Sequence, residues 1–233
     1  MSQTLKQRLD NWQRRLTERI GTDISTPEAR RLARLHYMLV DHGWLRALWR
    51  NFHQVAPGVW RANQPSPARL RAIHRKIGLK AVLNLRGPSN KSFHLFEEEV
   101  CRELGITLVD QPLSATKPPS KERLEGLVRH LQTLPKPLLI HCKSGADRTG
   151  LAAAVYLLMM ERQPMKVAMR QMSLRYTHVA NSAAGVQDHL LRMYDAAHRK
   201  TGIEFADWVR TSYDPEELKA SFARWRAGDR SLP

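Results

Sequence analysis

The chain has 233 residues, enough for one sizeable hydrophobic core and marginal for two. Its 42% hydrophobic content is globular, and 38 Lys and Arg against 22 Asp and Glu give a formal net charge of +16. That charge points to a polyanionic partner: an anionic membrane, a phosphorylated ligand or nucleic acid. The sequence argues against the last, because no zinc spacing, aromatic RNA-recognition strand or basic zipper is present. Two cysteines, Cys101 and Cys142, do not suggest a disulfide framework. No N-terminal stretch reads as a signal peptide and no run approaches the ~18 apolar residues of a membrane span, so a cytoplasmic protein is expected.

Residues 2–20 place Leu5, Leu9, Trp12, Leu16 and Ile20 at helical spacing, with Lys6, Arg8, Arg14, Arg15 and Arg19 on the other faces. Gly21 stops the pattern. A second helical segment over residues 27–50 opens on Pro27 and carries Leu32, Leu35, Met38, Trp44, Leu45, Leu48 and Trp49 among arginines. Asp41-His42-Gly43 interrupts it. Together these segments form a basic amphipathic extension over residues 1–54. Such a stripe either packs on the domain or lies in an anionic membrane interface, on the inner face of the membrane.

The core domain is expected over residues 55–200. Val59-Trp60-Arg61-Ala62 reads as its first strand, followed by a helix from Pro67 to Lys76 capped by Ser66 and ended by Gly78. Ala81-Val82-Leu83-Asn84-Leu85 is a buried strand. Arg86 follows it, either as an extra phosphate contact or as a surface charge. The helix from Phe93 to Leu104 is expected to turn Glu97, Glu98 and Glu99 outward before Gly105. A strand over 106–109, a Lys117-Pro118-Pro119 loop and a helix from Ser120 to Leu134 come next, with Leu124, Leu127, Val128 and Leu131 inward. Helices over Met165–Arg175 and Val186–Arg199 close the domain, with His178 between them as either a site residue or a packed loop histidine. Residues 201–233 form a helical tail packing on the domain, with Trp208, Tyr213, Leu218, Phe222 and Trp225. Strands alternating with helices predict an α/β fold, a mostly parallel central sheet flanked by helices.

The apolar run Leu138-Leu139-Ile140 and the helical run from Leu151 to Leu158 bracket His141-Cys142-Lys143-Ser144-Gly145-Ala146-Asp147-Arg148-Thr149-Gly150. The loop therefore opens a helix, where free N–H groups and the dipole favour an anion. The helix N-terminus, the loop amides and Arg148 should all lower the pKa of Cys142. Arg148 offers a fork for two phosphate oxygens, and Gly145 permits the curl that turns amides inward. Thr149 can hydrogen-bond the sulfur, and His141 orders the loop. A nucleophile, a guanidinium and an anion cradle within seven residues suit thiolate attack on a phosphate ester.

These ten residues resemble the Cys-x5-Arg signature of the protein tyrosine phosphatase superfamily. They are closest to its bacterial dual-specificity and tensin-like branches, and the likeness covers about residues 55–180. The spacing is one residue longer than in sulfurtransferase loops. The resemblance implies the cysteine-phosphatase fold and a cysteinyl-phosphate intermediate. It implies Cys142 as nucleophile, and Arg148 with Lys143, Ser144, Gly145, Ala146 and Thr149 as the phosphate cradle. It also implies a general acid on a separate loop, about thirty residues before the cysteine. Asp110 lies 32 residues before Cys142. Just past Pro112, however, where the family's acid normally stands, the chain has Ser114, Ala115 and Thr116. Asp147, inside the loop, is the other candidate, and the myotubularin lipid phosphatases share its Asp-Arg-Thr ending. The general acid is thus Asp147, Asp110 or neither.

The function expected from the sequence is metal-independent and cofactor-free hydrolysis of phosphomonoesters. The substrate is either an anionic phospholipid or inositol phosphate, favoured by Lys143 and the basic extension, or a phosphotyrosine or phosphoserine protein. The competing expectation is a pseudophosphatase that binds a phosphorylated ligand without turnover.

Overall fold

The computed structural model describes residues 20–229 and 231. The helix expected over 2–20 lies outside the described residues except for Ile20. The segment before the core folds into α1 (Pro27–Leu35), a π-helical turn over His36–Val40 and α2 (Gly43–Leu48). Thr26 caps α1 by accepting from the Ala29 amide. The expected break falls at His42, which takes a left-handed conformation at φ +61° directly before α2.

The sheet is built from β1 (His53–Ala56), β2 (Val59–Asn63), β3 (Ala81–Asn84), β4 (Thr107–Asp110) and β5 (Leu138–Cys142). Its spatial order is β1-β2-β5-β3-β4, with β1 antiparallel to β2 and every other pair parallel. β1 was not legible in the sequence, because it is a short edge strand with no apolar alternation. The connecting helices are α3 (Pro67–Ile77), α4 (Ser92–Leu104), α5 (Lys121–Thr133) and α6 (Asp147–Met159). Ser66 and Ser120 cap α3 and α5 through the amides of Arg69 and Arg123. Gly78 and Gly105 end α3 and α4 in the left-handed conformation.

The two faces of the sheet are covered separately. Val82 and Leu139 pack with Leu70 and Ile73 of α3 and with Val100 and Cys101 of α4. Leu83, Leu138, Ile140 and Cys142 face the larger cluster formed by α5, α6 and the C-terminal helices. Strands buried on both faces explain why β3 and β5 read as unbroken apolar runs. After α6 come α7 (Met165–Ala168), α8 (Val186–Thr201), α9 (Phe205–Thr211) and α10 (Pro215–Arg226).

Two local expectations are corrected. The helix expected over Met165–Arg175 is only α7 followed by two short 3-10 turns, Met169–Gln171 and Leu174–Tyr176. Glu97 does not face outward with Glu98 and Glu99. It is buried, with its carboxylate 2.9 Å from the His141 ring. The C-terminal segment is two helices, and its Phe205, Trp208, Val209, Tyr213, Leu218 and Phe222 belong to the main core.

Candidate active site

Cys142 ends β5, and the five residues after it turn back to open α6 at Asp147. The curl needs Gly145, whose φ is +73° and where a Cβ would lie 2.6 Å from the Ala62 carbonyl oxygen. The loop carbonyls are held from outside. The Lys143 carbonyl accepts from the Gln64 amide at 3.3 Å, and that of Ser144 accepts from the Asn51 side-chain amide at 2.9 Å. The Gly145 carbonyl accepts from Arg61 Nη2 at 2.7 Å. With these carbonyls turned outward, the N–H groups of the next residues face the opposite side, which makes an anion nest.

Cys142 is buried. Burial opposes its ionisation, but the Arg148 charge, the Thr149 hydroxyl and the backbone N–H groups of Thr149 and Gly145 outweigh it, so its pKa lies below that of an ordinary thiol. Cys101, by contrast, is pushed up by burial and by nearby carboxylates, and is a core thiol. Arg148 is tethered by Nη1 through long bonds to the Leu85 and Leu113 carbonyls, at 3.4 and 3.5 Å. Its Nε is buried without a hydrogen-bond partner among the described residues. A buried guanidinium donor beside a thiol of lowered pKa can donate to an anion oxygen.

The two acid candidates stand in different places. Asp110 ends β4, the edge strand, and is separated from β5 by β3. Its carboxylate accepts from Asn84 Nδ2 at 2.7 Å and from His94 Nε2 at 2.8 Å. The Asp110 bond raises the pKa of His94. Asp147 is the first residue of α6, and its Oδ1 lies 2.7 Å from His178 Nδ1. His178 Nε2 lies in turn 2.5 Å from Asp188 Oδ2.

Lys143, Arg86 and Arg46 converge on the buried Asp41, in the turn before α2. Arg86 binds it bidentately at 2.8 and 3.1 Å, Arg46 lies 2.7 Å away, and Lys143 lies 3.6 Å away. Burial raises the Asp41 pKa, but these cations hold it below the ordinary carboxylate value.

Arg61 is the site residue that reading the sequence missed. It is wholly buried in β2. It donates to the backbone and side-chain oxygens of Gln171 at 2.8 and 2.7 Å, and its guanidinium lies 3.6 Å from the Tyr176 ring centroid. Burial pushes its pKa down to about 10, which leaves it charged at neutral pH. The available signal was an arginine at the same strand parity as Val59, an inward position. Arg61→Met is expected to cost about 3 kcal/mol, because it leaves the buried Gly145 oxygen and the part-buried Gln171 oxygens unpaired. Urea unfolding checks the value, and an unchanged midpoint would show that Arg61 does not hold the loop.

The fold and the Cys-x5-Arg loop are those of the protein tyrosine phosphatase superfamily, in its dual-specificity branch. A family model described as DSP-PTPase phosphatase fused to NAD+ Kinase matches residues 51–189, and the chain belongs to that family. It is 25% identical over 124 residues to the dual specificity protein phosphatase TpbA of Pseudomonas aeruginosa UCBPP-PA14, covering 52% of this chain and 53% of that protein. The chain thus spans about half the length of the curated relatives it matches. A DUF442 protein of Shewanella putrefaciens CN-32 superposes with a TM-score of 0.50 at 21% identity, covering 64% of this chain and 90% of that one. A mutant form of Tk-PTP does so with 0.50 at 18%, covering 65% and 98%.

Proposed function

We propose that the chain hydrolyses phosphomonoesters through a cysteinyl-phosphate intermediate, with residues 55–200 as the catalytic unit and the C-terminal helices completing its core. Arg148 Nε carries this reading: a buried cationic donor without a partner among the described residues, beside a thiol whose pKa is lowered. The Cys142 sulfur attacks phosphorus, and Arg148 and the amides of residues 143–149 hold the phosphoryl oxygens through the transition state. Asp147 protonates the leaving oxygen and then takes a proton from the attacking water. Asp110 is not given that role, because its carboxylate is already bonded to Asn84 and His94. The test is hydrolysis of para-nitrophenyl phosphate at neutral and mildly acidic pH, with acid-quench trapping of phosphate on Cys142. Phosphate binding without turnover would instead identify a pseudophosphatase.

For the substrate, the TpbA likeness favours a phosphorylated protein. A different observation favours a lipid phosphate. Leu32, Leu35, Leu39, Trp44, Leu45, Leu48 and Trp49 are all exposed, on a segment that also carries Arg30, Arg31, Arg34 and Arg50. Apolar residues and arginines together suit the interface of an anionic membrane, and among the described residues no helix is long and apolar enough to cross one. The double variant Trp44→Glu, Leu48→Glu is expected to lower co-sedimentation with phosphatidylglycerol vesicles by about tenfold or more. Binding equal to wild type would remove the membrane reading and leave the phosphoprotein one.

A further inference from the structure

His178 lies between two carboxylates and touches no other charged group among the described residues. Asp147, from the start of α6, faces its Nδ1 at 2.7 Å, and Asp188, from the first turn of α8, faces its Nε2 at 2.5 Å. The ring is fully buried, Asp188 is nearly so, and Asp147 is one-fifth exposed at 21%. An ionised carboxylate only accepts, so with both ionised each ring nitrogen donates, and the imidazole carries a proton beyond its neutral complement. Burial disfavours that charge, but the bonds to Asp147 and Asp188 outweigh it and raise the pKa to about 9. The contact uses Asp147 Oδ1, and Asp147 is the part-exposed member of this chain of bonds. A buried histidine that needed only to pack would not require two carboxylates, and the second, Asp188, has no other hydrogen bond among the described residues.

We propose that His178, held by Asp188, is the positioning residue that stores the proton Asp147 delivers to the leaving group. The inference rests on the phosphatase reading and deepens it. A substrate phosphate dianion arriving beside Asp147 disfavours the carboxylate and draws the proton from His178 Nδ1 onto it. As the sulfur–phosphorus bond forms and the phosphorus–oxygen bond breaks, this proton passes to the leaving oxygen. Asp147 is then a carboxylate, and His178 is neutral, its Nε2–H still bonded to Asp188. In the second step the attacking water gives its proton to Asp147 as its oxygen bonds to phosphorus and the sulfur leaves as thiolate. The proton then returns to His178.

The experiment uses the full chain and two substrates, para-nitrophenyl phosphate and β-glycerophosphate, whose alkoxide is the poorer leaving group. In His178→Gln, kcat/KM for β-glycerophosphate is expected to fall by about 100-fold and that for para-nitrophenyl phosphate by less than about tenfold. The proton is held below the His178 pKa and lost above it, so the β-glycerophosphate rate should fall on the alkaline side. In Asp188→Asn that fall should begin about one pH unit lower or more, because the anion retaining the proton is gone. The inhibition constant of inorganic phosphate should stay at its wild-type value in both variants, which shows an intact loop. If Asp188→Asn does not fold, the substrate difference in His178→Gln decides alone. Equal losses on both substrates, or an alkaline limb unmoved in folded Asp188→Asn, would overturn the role of His178 alone. A wild type inert toward both substrates would overturn the phosphatase reading and this inference with it.

Discussion

Cys142→Ser should abolish turnover of para-nitrophenyl phosphate, by about 10,000-fold or more, while phosphate still binds. The substitution changes one atom in a buried position, so the loop keeps its shape, and the arginine and amides that hold phosphate are untouched. What is lost is ionisation. Arg148, the Thr149 hydroxyl and two amides bring a thiol below its ordinary pKa against the opposition of burial. A serine hydroxyl starts several units higher, and the same surroundings leave it protonated. Phosphate should bind at least as tightly as in wild type, since a neutral hydroxyl replaces an anion beside the bound dianion. Residual activity within a factor of ten of wild type would place the nucleophile elsewhere.

Arg148→Ala should remove about 1,000-fold of kcat/KM through two effects that separate in a pH profile. The first is loss of the fork that holds phosphoryl oxygens. The second is a rise in the Cys142 pKa, since Arg148 is the foremost influence holding it down. The thiol then keeps its proton to higher pH, so the acidic limb of kcat/KM moves upward. Arg148→Lys separates the two, because it restores a charge near the sulfur but not the planar pair of donors. It should return the limb part of the way toward wild type while the phosphate inhibition constant stays weak. A limb that does not move in Arg148→Ala would mean that the loop amides and Thr149 alone set the thiol's acidity.

Much of the architecture was legible because its determinants are local. The serines before α3 and α5 and the glycines after α3 and α4 act on atoms within a few residues of themselves. A strand buried on both faces shows itself as a run such as Leu138-Leu139-Ile140. The Cys142–Arg148 loop was legible for the same reason, since sulfur, glycine and guanidinium fall within one short stretch of chain. What escaped were partnerships between distant residues. Arg61 meets Gly145 across 84 positions. Glu97 sits in a run of three glutamates that reads as a solvated face. Only the approach of β5 to α4 buries it against His141. His178 and Asp147 lie 31 positions apart, and neither hints at the other. Arg86 looked like a phosphate contact or a surface charge, and the carboxylate that takes it lies 45 residues earlier.

That carboxylate, Asp41, precedes residue 51, where the family match begins. A protein trimmed to the match would keep Lys143 and Arg86 and lose the anion between them. Its mouth would then carry two unneutralised cations, and any anion of sufficient charge would gain from entering. Asp41 is thus the shared counter-ion of Lys143 and Arg86, supplied to the family's fold by the segment that precedes it. The truncated protein should be the more promiscuous anion binder, with the larger dependence on ionic strength.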